Sequence, residues 1–240
     1  MDATASPAGG AGPGESLVLD YAGSELVLDP AGVAWFPAER VLAVADLHLE
    51  KGSSFARSRI YLPPYDTAAT LARLAAAVAR YGPATIVSLG DSFHDDDASA
   101  RLPGDAVGAI ATIAQGRDMI WVTGNHDPSP PDNVPGQSVA MLALGRIVFR
   151  HMPDPAEFGH EVCGHLHPCA RIAGRGRAVR RPCFASDGVR LMLPAFGAFT
   201  GGLNVCDEAF AGLFEMSRFR AYMLGSERVY PVGAARLIGG

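Results

Sequence analysis

Apolar residues in the first half of the chain form short continuous runs that alternate with helical patterns. Three of these runs are almost wholly apolar, which is typical of strands buried on both faces of a sheet. They are RVLAVAD at residues 40–46, ATIVSLGD at residues 84–91 and MIWVTG at residues 119–124. One helix is predicted from Asp66 or Thr67 up to Gly82 and Pro83, and a second at residues 103–116. The order strand, helix, strand, helix, strand predicts an α/β core.

Segments rich in β-forming residues stand on either side of this core. Three precede it, and strands predominate from Ser138 onward. The early segments are SLVLD at residues 16–20, ELVLD at residues 25–29 and VAWF at residues 33–36. The later ones are residues 138–144, 146–150, 179–184, 189–193 and 228–232. A helix-containing half followed by a strand-rich half predicts two sheets packed face to face, with helices outside.

Length and composition favour a folded protein that does not span a membrane. The chain has 240 residues, 48% of them hydrophobic, which is enough for a sizeable core. It contains no apolar run of the roughly 18 residues that a membrane helix needs. Residues 1–14 have neither a basic start nor an apolar block, so we expect a flexible tail before a single domain at residues 15–240. The four cysteines form no C-x-x-C pair, and we expect reduced thiols in a cytoplasmic protein.

Metal-type ligands follow each predicted strand of the first half. The three clusters are residues 46–48 (Asp-Leu-His), Gly90 with Asp91, and residues 124–127 (Gly-Asn-His-Asp). Ligand sites in open α/β sheets form beyond the carboxyl ends of the strands, so these clusters are expected to converge. His151 follows the strand at residues 146–150, and residues 164–167 read Gly-His-Leu-His. These clusters hold five of the seven histidines: His48, His126, His151, His165 and His167.

The ligand types narrow the choice of metal and of chemistry. Carboxylates, imidazoles and one carboxamide, without a thiolate, favour Mn²⁺, Fe or Zn²⁺ in an open catalytic site. A closed structural zinc site would normally use cysteines. The ligands are too many for one ion, whereas two ions about 3.5–4 Å apart that share a carboxylate would use them all. Such a pair can hold a hydroxide at neutral pH and neutralise charge on a phosphoryl group.

The ordered set of motifs resembles the calcineurin-like metallophosphoesterase superfamily, whose pattern is D-x-H, G-D, G-N-H-D/E, H and G-H-x-H. The resemblance implies a four-layer α/β/β/α sandwich and two divalent ions, first of all Mn²⁺. It also implies ligands for each ion. Those of one ion are Asp46, His48, Asp91 and His167, and those of the other are Asp91, Asn125, His151 and His165. By the same resemblance, His126 protonates the leaving oxygen and Asp127 orients its ring.

Longer strings are similar to the bacterial ligase-associated DNA damage response endonuclease family. They are DLHLEKGSSFA at residues 46–56, LPPYDT at residues 62–67, LGDSFHD at residues 89–95, CGHLHP at residues 163–168 and LPAFGAFTGGL at residues 193–203. This resemblance implies a metal-dependent phosphodiesterase that acts on DNA. It also implies a partnership with DNA repair enzymes such as a ligase or a helicase.

The sequence leaves the substrate open. The segment RIAGRGRAVRR at residues 171–181 carries five arginines and no acid, so Arg175, Arg177 and Arg180 are candidate phosphate contacts. Alternatively, these arginines keep an edge strand soluble. His94 either contacts substrate or stabilises its loop. A net charge of −5 suits an enzyme on small phosphate compounds, such as cyclic nucleotides, nucleotide-derived diesters or phosphomonoesters, at least as well as a DNA enzyme. A fold used only for protein interaction is disfavoured, because every ligand of the pattern is present.

Overall fold

The computed structural model describes residues 15–57, 65–95, 101–127, 133–156, 159–174 and 176–239. The tail predicted at residues 1–14 and the candidate phosphate contact Arg175 lie outside these described residues. Within them, the strands form two mixed sheets, one of seven strands and one of eight. The predicted two-sheet architecture is confirmed.

The first sheet places its strands side by side in chain order. They are β1 (Leu17–Tyr21), β2 (Ser24–Leu28), β3 (Ala34–Phe36), β4 (Val41–Val44), β5 (Thr85–Leu89), β6 (Asp118–Val122) and β7 (Gln137–Val139). Strands β1 to β4 pair antiparallel, whereas β4 to β7 pair in parallel. The carboxyl ends of the three predicted buried strands, β4, β5 and β6, therefore lie at one edge of the sheet.

The second sheet is built from the later half of the chain. Its strands are β8 (Leu142–Leu144), β9 (Ile147–Phe149), β10 (His160–Cys163), β11 (Cys169–Gly174), β12 (Arg177–Ser186), β13 (Arg190–Met192), β14 (Arg220–Leu224) and β15 (Val229–Gly233). The order is β15-β14-β12-β13-β10-β9-β8, and β11 pairs with β12 outside this path. Strands β9 and β10 are parallel neighbours, so their carboxyl ends also lie together. The arginine-rich segment forms the β11–β12 hairpin.

Side chains that alternate along the strands pack into two separate hydrophobic cores. In β4, Val41 and Ala43 face the second sheet, whereas Leu42 and Val44 face the helices. This alternation is the period of two residues that a pleated strand imposes. Between the sheets, the rings of Phe36 and Phe149 meet edge to face with their centroids 5.4 Å apart. A run that is apolar throughout is thus explained by burial on both faces.

Helices cover the outer face of the first sheet. They are α1 (Lys51–Arg57), α2 (Asp66–Tyr81) and α3 (Gly104–Ala114), of which α2 and α3 confirm predicted helices. Helix α2 buries Leu71, Leu74 and Val78 on one side and ends where the N–H of Gly82, at φ 57°, donates to the carbonyl of Val78. Within the residues the structure describes, no helix is long and apolar enough to cross a membrane.

The outer face of the second sheet is covered differently from the first. Phe210, Phe214 and Phe219 pack there against β10, β12, β13 and β14, and the described part of this layer contains a 3-10 turn (Glu208–Phe210) rather than an α-helix. Asp207 caps this turn by accepting the N–H of Ala209, and farther along the segment Glu215 accepts the N–H of Ser217. The fourth layer of the sandwich is therefore mostly loop.

Candidate metal centre

Loops at one end of the two sheets carry the candidate metal ligands. They follow β4, β5, β6, β9 and β10 and carry Asp46 and His48, Asp91, Asn125, His151, and His165 and His167, respectively. Backbone hydrogen bonds join neighbouring loops: the N–H of His48 donates to the carbonyl of Asp91 at 2.9 Å, and that of Gly164 to the carbonyl of His151 at 3.0 Å. The motifs that are far apart in sequence thus converge.

Six of these side chains form two groups of three. The first triad is Asp46, His48 and His167, and the second triad is Asp91, His151 and His165. Within each triad, one ligand atom from every member lies within 4.8 Å of the others. The two aspartates, His48 and His151 are buried, and His165 and His167 are partly exposed. Each triad offers the mixed nitrogen and oxygen donors that divalent transition metals bind.

Asp91 belongs to the second triad and also faces the first. Its Oδ1 is 3.4 Å from Nε2 of His151, and its Oδ2 is 4.0 Å from Nε2 of His48. In the first triad, Nε2 of His167 is 3.4 Å from Oδ1 of Asp46 and 3.3 Å from Nε2 of His48. One carboxylate therefore faces ring nitrogens of both triads, as a shared ligand would.

The ring of His151 is oriented by the end of β5. Its Nδ1 lies 2.9 Å from the carbonyl of Leu89, and because a carbonyl only accepts, Nδ1 carries the proton. Nε2 is left to face Oδ1 of Asn125 at 2.9 Å and Nδ1 of His165 at 3.2 Å. A backbone carbonyl that fixes the tautomer of a ring in this way is common behind metal-binding histidines. Asn125 therefore adjoins the second triad.

The backbone of the candidate ligands is unusual. Five of those described have φ in the left-handed region, which residues other than glycine rarely adopt. They are Asp46 (54°), His48 (43°), Asp91 (46°), His165 (76°) and His167 (48°). Strain of this kind concentrates at functional sites, where the surrounding structure holds it in place. The loops are thus shaped to direct these side chains to one place.

Gly90 lets the two sheets approach at the site. Its φ is 72°, and a Cβ at this position would lie 2.4 Å from the ring of His151. Any other residue would push the imidazole away from Asp91 and from the end of β5. The glycine of the G-D motif is therefore required by close contact across the site.

Burial and neighbouring charge set the protonation of the cluster. Burial, with the nearby His167, lowers the pKa of His48 to about 3, so its ring is neutral and able to bind a cation. Burial alone would raise the pKa of Asp91, but the hydrogen bond and charge of His151 outweigh burial and hold that pKa well below its usual range. The same bond is the main influence that raises the pKa of His151, against the effect of burial. Asp91 is therefore ionised at neutral pH.

Asp127 is bound by backbone groups of the neighbouring loops. Among the described residues, its carboxylate accepts backbone N–H groups from Asp91, Ser92, Phe93 and Gly124 at 2.7–3.2 Å, and no hydrogen bond joins it to the ring of His126. Burial raises its pKa to about 6, and the N–H donors oppose that rise. These accepted hydrogen bonds come from the backbone of the Asp91 loop and of Gly124, so Asp127 supports that loop, and its orientation of the His126 ring stays a prediction of the family resemblance.

His126 and His94 lie beside the first triad. The exposed His126 donates its backbone N–H to Oδ1 of Asp91 at 3.0 Å, and its ring centroid is 5.5 Å from that of His48. The ring of His94 stacks parallel to that of His126 at 5.8 Å, and its Nδ1 is 3.3 Å from Nδ1 of His48. The structure therefore brings His94 to the same wall of the site as His126.

Comparison with known proteins is consistent with this geometry. Residues 39–176 match the calcineurin-like phosphoesterase family, which is more than half of the chain. The chain belongs to this family. It is therefore a metal-dependent phosphoesterase, and the two triads lie where its motifs converge.

Two solved structures are similar to the chain. Nuclease MPE from Pseudomonas putida is 28% identical, with a TM-score of 0.70 over 91% of this chain and 100% of that chain. Yfce, a phosphoesterase from E. coli, is 12% identical, with a TM-score of 0.39 over 80% of this chain and 98% of that chain. No curated protein sequence matches the chain.

The arginine candidates lie at unequal distances from the phosphoesterase site. Arg180 and His167 line one small cleft together with Gly202. Arg177 lies farther along the hairpin, opposite Gly174 in register. Both arginines are exposed. Arg180 is therefore next to the first triad, whereas Arg177 lies farther from it.

A segment without any metal ligand also shapes the site. At residues 195–203, the N–H of Phe196 donates to the carbonyl of Ala45 at 2.8 Å, and the N–H of Gly197 donates to that of Asp46 at 3.1 Å. A Cβ on Gly197 would lie 2.2 Å from the carbonyl oxygen of Leu47. In the sequence, this segment was recognisable only as part of a string that resembles the endonuclease family. It contains no metal-ligand residue that would indicate a role in the site.

Proposed function

We propose that this protein is a two-metal phosphodiesterase that cleaves DNA. The observation that carries the proposal is the pair of triads with Asp91 between them. DNA as the substrate is supported by the similarity to the Pseudomonas putida nuclease over the whole of that chain. The exposed arginines of the β11–β12 hairpin give further support. Participation in DNA repair in the cytoplasm, beside a ligase or helicase, is part of the proposal that the family resemblance suggests.

The donor set suits divalent cations. Nε2 of His48 and Nε2 of His167 face each other at 3.3 Å beside the carboxylate of Asp46, so an ion between them would receive two ring nitrogens and a charge. In the proposed assignment, one ion binds Asp46, His48, His167 and the shared Asp91. The other binds Asp91, Asn125, His151 and His165. We expect Mn²⁺ first, with Fe or Zn²⁺ as alternatives, because these ions accept mixed imidazole and carboxylate ligands.

The side chains around the triads have different roles in the proposed reaction. When bound, the two ions supply the positive charge that activates water and neutralises phosphate oxygens. His126 is exposed beside Asp91 and has no place in either triad, so it can give a proton to the oxygen that leaves. Asp127 holds the Asp91 loop, and His94 supports His126 through ring stacking. Arg180 can hold a phosphate beside the first triad, and Arg177 one farther along the strand.

Turnover of different phosphate esters tests the proposal. We expect Mn²⁺-dependent hydrolysis of bis-p-nitrophenyl phosphate and of single-stranded or double-stranded DNA, both abolished by a chelator and restored by added metal. Hydrolysis of the aryl diester without cleavage of either DNA would contradict the DNA assignment while leaving the phosphodiesterase intact. Loss of neither activity on chelation would contradict the metal mechanism.

A small phosphate compound is the second candidate substrate. The net charge of −5 favours it, because a compact substrate does not need an extended basic surface. DNA that is bound through several phosphates loses affinity steeply as salt rises, whereas a single-phosphate substrate does so only slightly. The dependence of KM on salt, measured for DNA and for a cyclic nucleotide, distinguishes the two candidates.

A further inference from the structure

Phe199 is an exposed residue with a strained backbone, in the segment that contacts the backbone of the first triad. Its side chain is 54% exposed and its φ is 60°. For a bulky residue this conformation is a genuine outlier, and it brings no burial in return. Strained residues that the surrounding structure holds in place are typical of ligand sites. The position therefore needs an explanation other than packing.

The segment that carries Phe199 is held at both ends by the first triad. On one side, Gly197 donates its N–H to the carbonyl of Asp46 at 3.1 Å. On the other side, a Cβ on Gly202 would lie 2.2 Å from the carbonyl oxygen of His167. Two residues span at most about 7 Å, so Phe199 lies within that reach of Gly197. Phe199 therefore lies in a short segment that is anchored beside Asp46 and His167.

Two cationic side chains donate hydrogen bonds to backbone carbonyls of the same segment. Nζ of Lys51 donates to the carbonyl of Phe199 at 3.3 Å, and the guanidinium of Arg180 donates to the carbonyl of Gly202. Thr200 closes the turn by donating its hydroxyl to the carbonyl of Gly197 at 2.7 Å. An exposed aromatic residue in a segment that two cations contact, beside a phosphoesterase site, is the combination that binds single-stranded nucleic acid.

We propose that Phe199 is a stacking platform for an unpaired base next to the scissile phosphate, with Lys51 and Arg180 as the neighbouring cations. This inference rests on the proposed DNA substrate and deepens it. A base within a duplex has both faces covered by its neighbours, so the platform selects nucleotides that are open to stacking. A lone aryl diester or a cyclic phosphate gains little from it.

The test compares Phe199→Leu and Phe199→Trp with Tyr230→Leu. Tyr230 is 51% exposed on the edge strand β15 and serves as the matched aromatic control. Each protein is assayed with Mn²⁺ on a single-stranded oligodeoxynucleotide and on bis-p-nitrophenyl phosphate. We expect Phe199→Leu to lower the ratio of the two kcat/KM values on the order of tenfold, mainly through the KM for the oligonucleotide. The Trp variant restores the ratio and the control does not change it.

A binding measurement without metal gives a second readout. An oligonucleotide that contains 2-aminopurine is titrated with each protein in the presence of a chelator, and stacking quenches the fluorescence of the base. We expect quenching with the wild type and with Phe199→Trp, and weak quenching with Phe199→Leu. All variants should keep the wild-type Tm, because the Phe199 side chain supports no core.

The outcomes separate this inference from the proposed function. A wild type that hydrolyses the aryl diester but cleaves no oligonucleotide contradicts the DNA assignment. If this protein also does not quench the fluorescence of the base, the stacking role of Phe199 is contradicted as well. A wild type that cleaves DNA, with Phe199→Leu equal to it in the kcat/KM ratio and in quenching, overturns the platform alone. A large fall in the Tm of Phe199→Leu would show that the ring is structural and would also overturn it.

Discussion

Oδ1 of Asp127 accepts the backbone N–H of Asp91 at 2.9 Å, and Oδ2 accepts that of Ser92 at 2.7 Å. The residue that follows His126 therefore acts on the loop of the shared ligand. Asp91 has its backbone in the left-handed region, with φ 46°, and a buried carboxylate with several N–H donors can hold such a turn. A change at Asp127 should affect metal binding before proton transfer.

Asp127→Asn should lower Mn²⁺ affinity and kcat/KM by about 10-fold to 100-fold, as is usual for residues that support metal ligands. The amide has a single accepting oxygen, and its NH₂ group would face backbone N–H donors. Calorimetric titration with Mn²⁺ measures the affinity, and the pH–rate profile should keep its shape. A changed acidic or basic limb with normal metal affinity would contradict this account and favour a direct effect on His126.

Asp187→Asn is the matched control for this variant. Asp187 also accepts several backbone N–H groups, from Val189, Arg190 and Glu215, at the opposite end of β13 from the site. We expect this variant to lose stability while keeping the wild-type Mn²⁺ affinity. The comparison separates loss of a buried acceptor from loss of the Asp91 loop.

His126→Gln should slow DNA cleavage by roughly 10²-fold to 10⁴-fold and leave metal binding intact, because it removes a proton donor rather than a ligand. Hydrolysis of bis-p-nitrophenyl phosphate should fall much less, since nitrophenolate leaves without a proton. His160→Gln, which changes a histidine at the start of β10, is expected to preserve both activities. Equal losses on the two substrates would remove His126 from the proposed role.

Arg177→Ala combined with Arg180→Ala should weaken DNA binding and reduce its dependence on salt. Each lost phosphate contact lowers the slope of log K against log salt by about 0.7–0.9, so the slope should fall by roughly 1.4–1.8. Arg146→Ala combined with Arg220→Ala removes the same charge at the far end of the second sheet and should leave the slope unchanged. Equal slopes for the two double variants would contradict a DNA-binding hairpin.

Metal-free protein should lose stability as the pH falls from about 6.5 to about 3. Burial lowers the pKa of His48 to about 3 in the folded protein, against an unfolded value near 6.5, so the unfolded chain binds the proton more readily over this range. Its stabilising contribution is complete above pH 6.5 and is lost below. His165 and His94 act in the same direction, whereas the raised pKa values of His151 and Asp127 partly offset these contributions.

Thermal unfolding in a chelator at several pH values measures this dependence. We expect a shallower dependence for His48→Gln, which has no proton to take up. Added Mn²⁺ should raise the Tm more at pH 8 than at pH 5, because protons compete with the metal for the ring nitrogens. A Tm of the metal-free wild type that is constant between pH 7 and pH 4 would contradict the burial of a neutral His48.

The sequence predicted the elements whose pattern is set by local burial. Strands β4, β5 and β6 were recognisable because both of their faces are buried, and α2 because its apolar residues recur at helical spacing. Helix α1 was not, because its segment, Lys51–Arg57, lacks an apolar period. Strand β10 was not recognisable either, since it begins with His160 and Glu161, and the buried Glu161 pairs with Arg150 and Arg190. Such a distant partner leaves no local pattern.

The metal ligands of the candidate site were predictable from the sequence, whereas the residues that support those ligands were not. The order of motifs along parallel strands indicated which side chains converge, because their types and places are visible in the sequence. The contacts of Asp127 with the Asp91 loop were not predictable, since backbone N–H donors have no sequence signal. Phe199 was not singled out, because its exposure and its left-handed backbone become visible only in the folded chain.

The number of metal ions bound per chain tests the central claim most directly. After reconstitution with Mn²⁺ and removal of excess metal, elemental analysis of the wild type should give two ions per chain, and Asp91→Ala should retain fewer than one. Turnover of bis-p-nitrophenyl phosphate should follow the occupancy of both sites. Full turnover by a protein that holds one ion or none would contradict a centre in which Asp91 joins two metal sites.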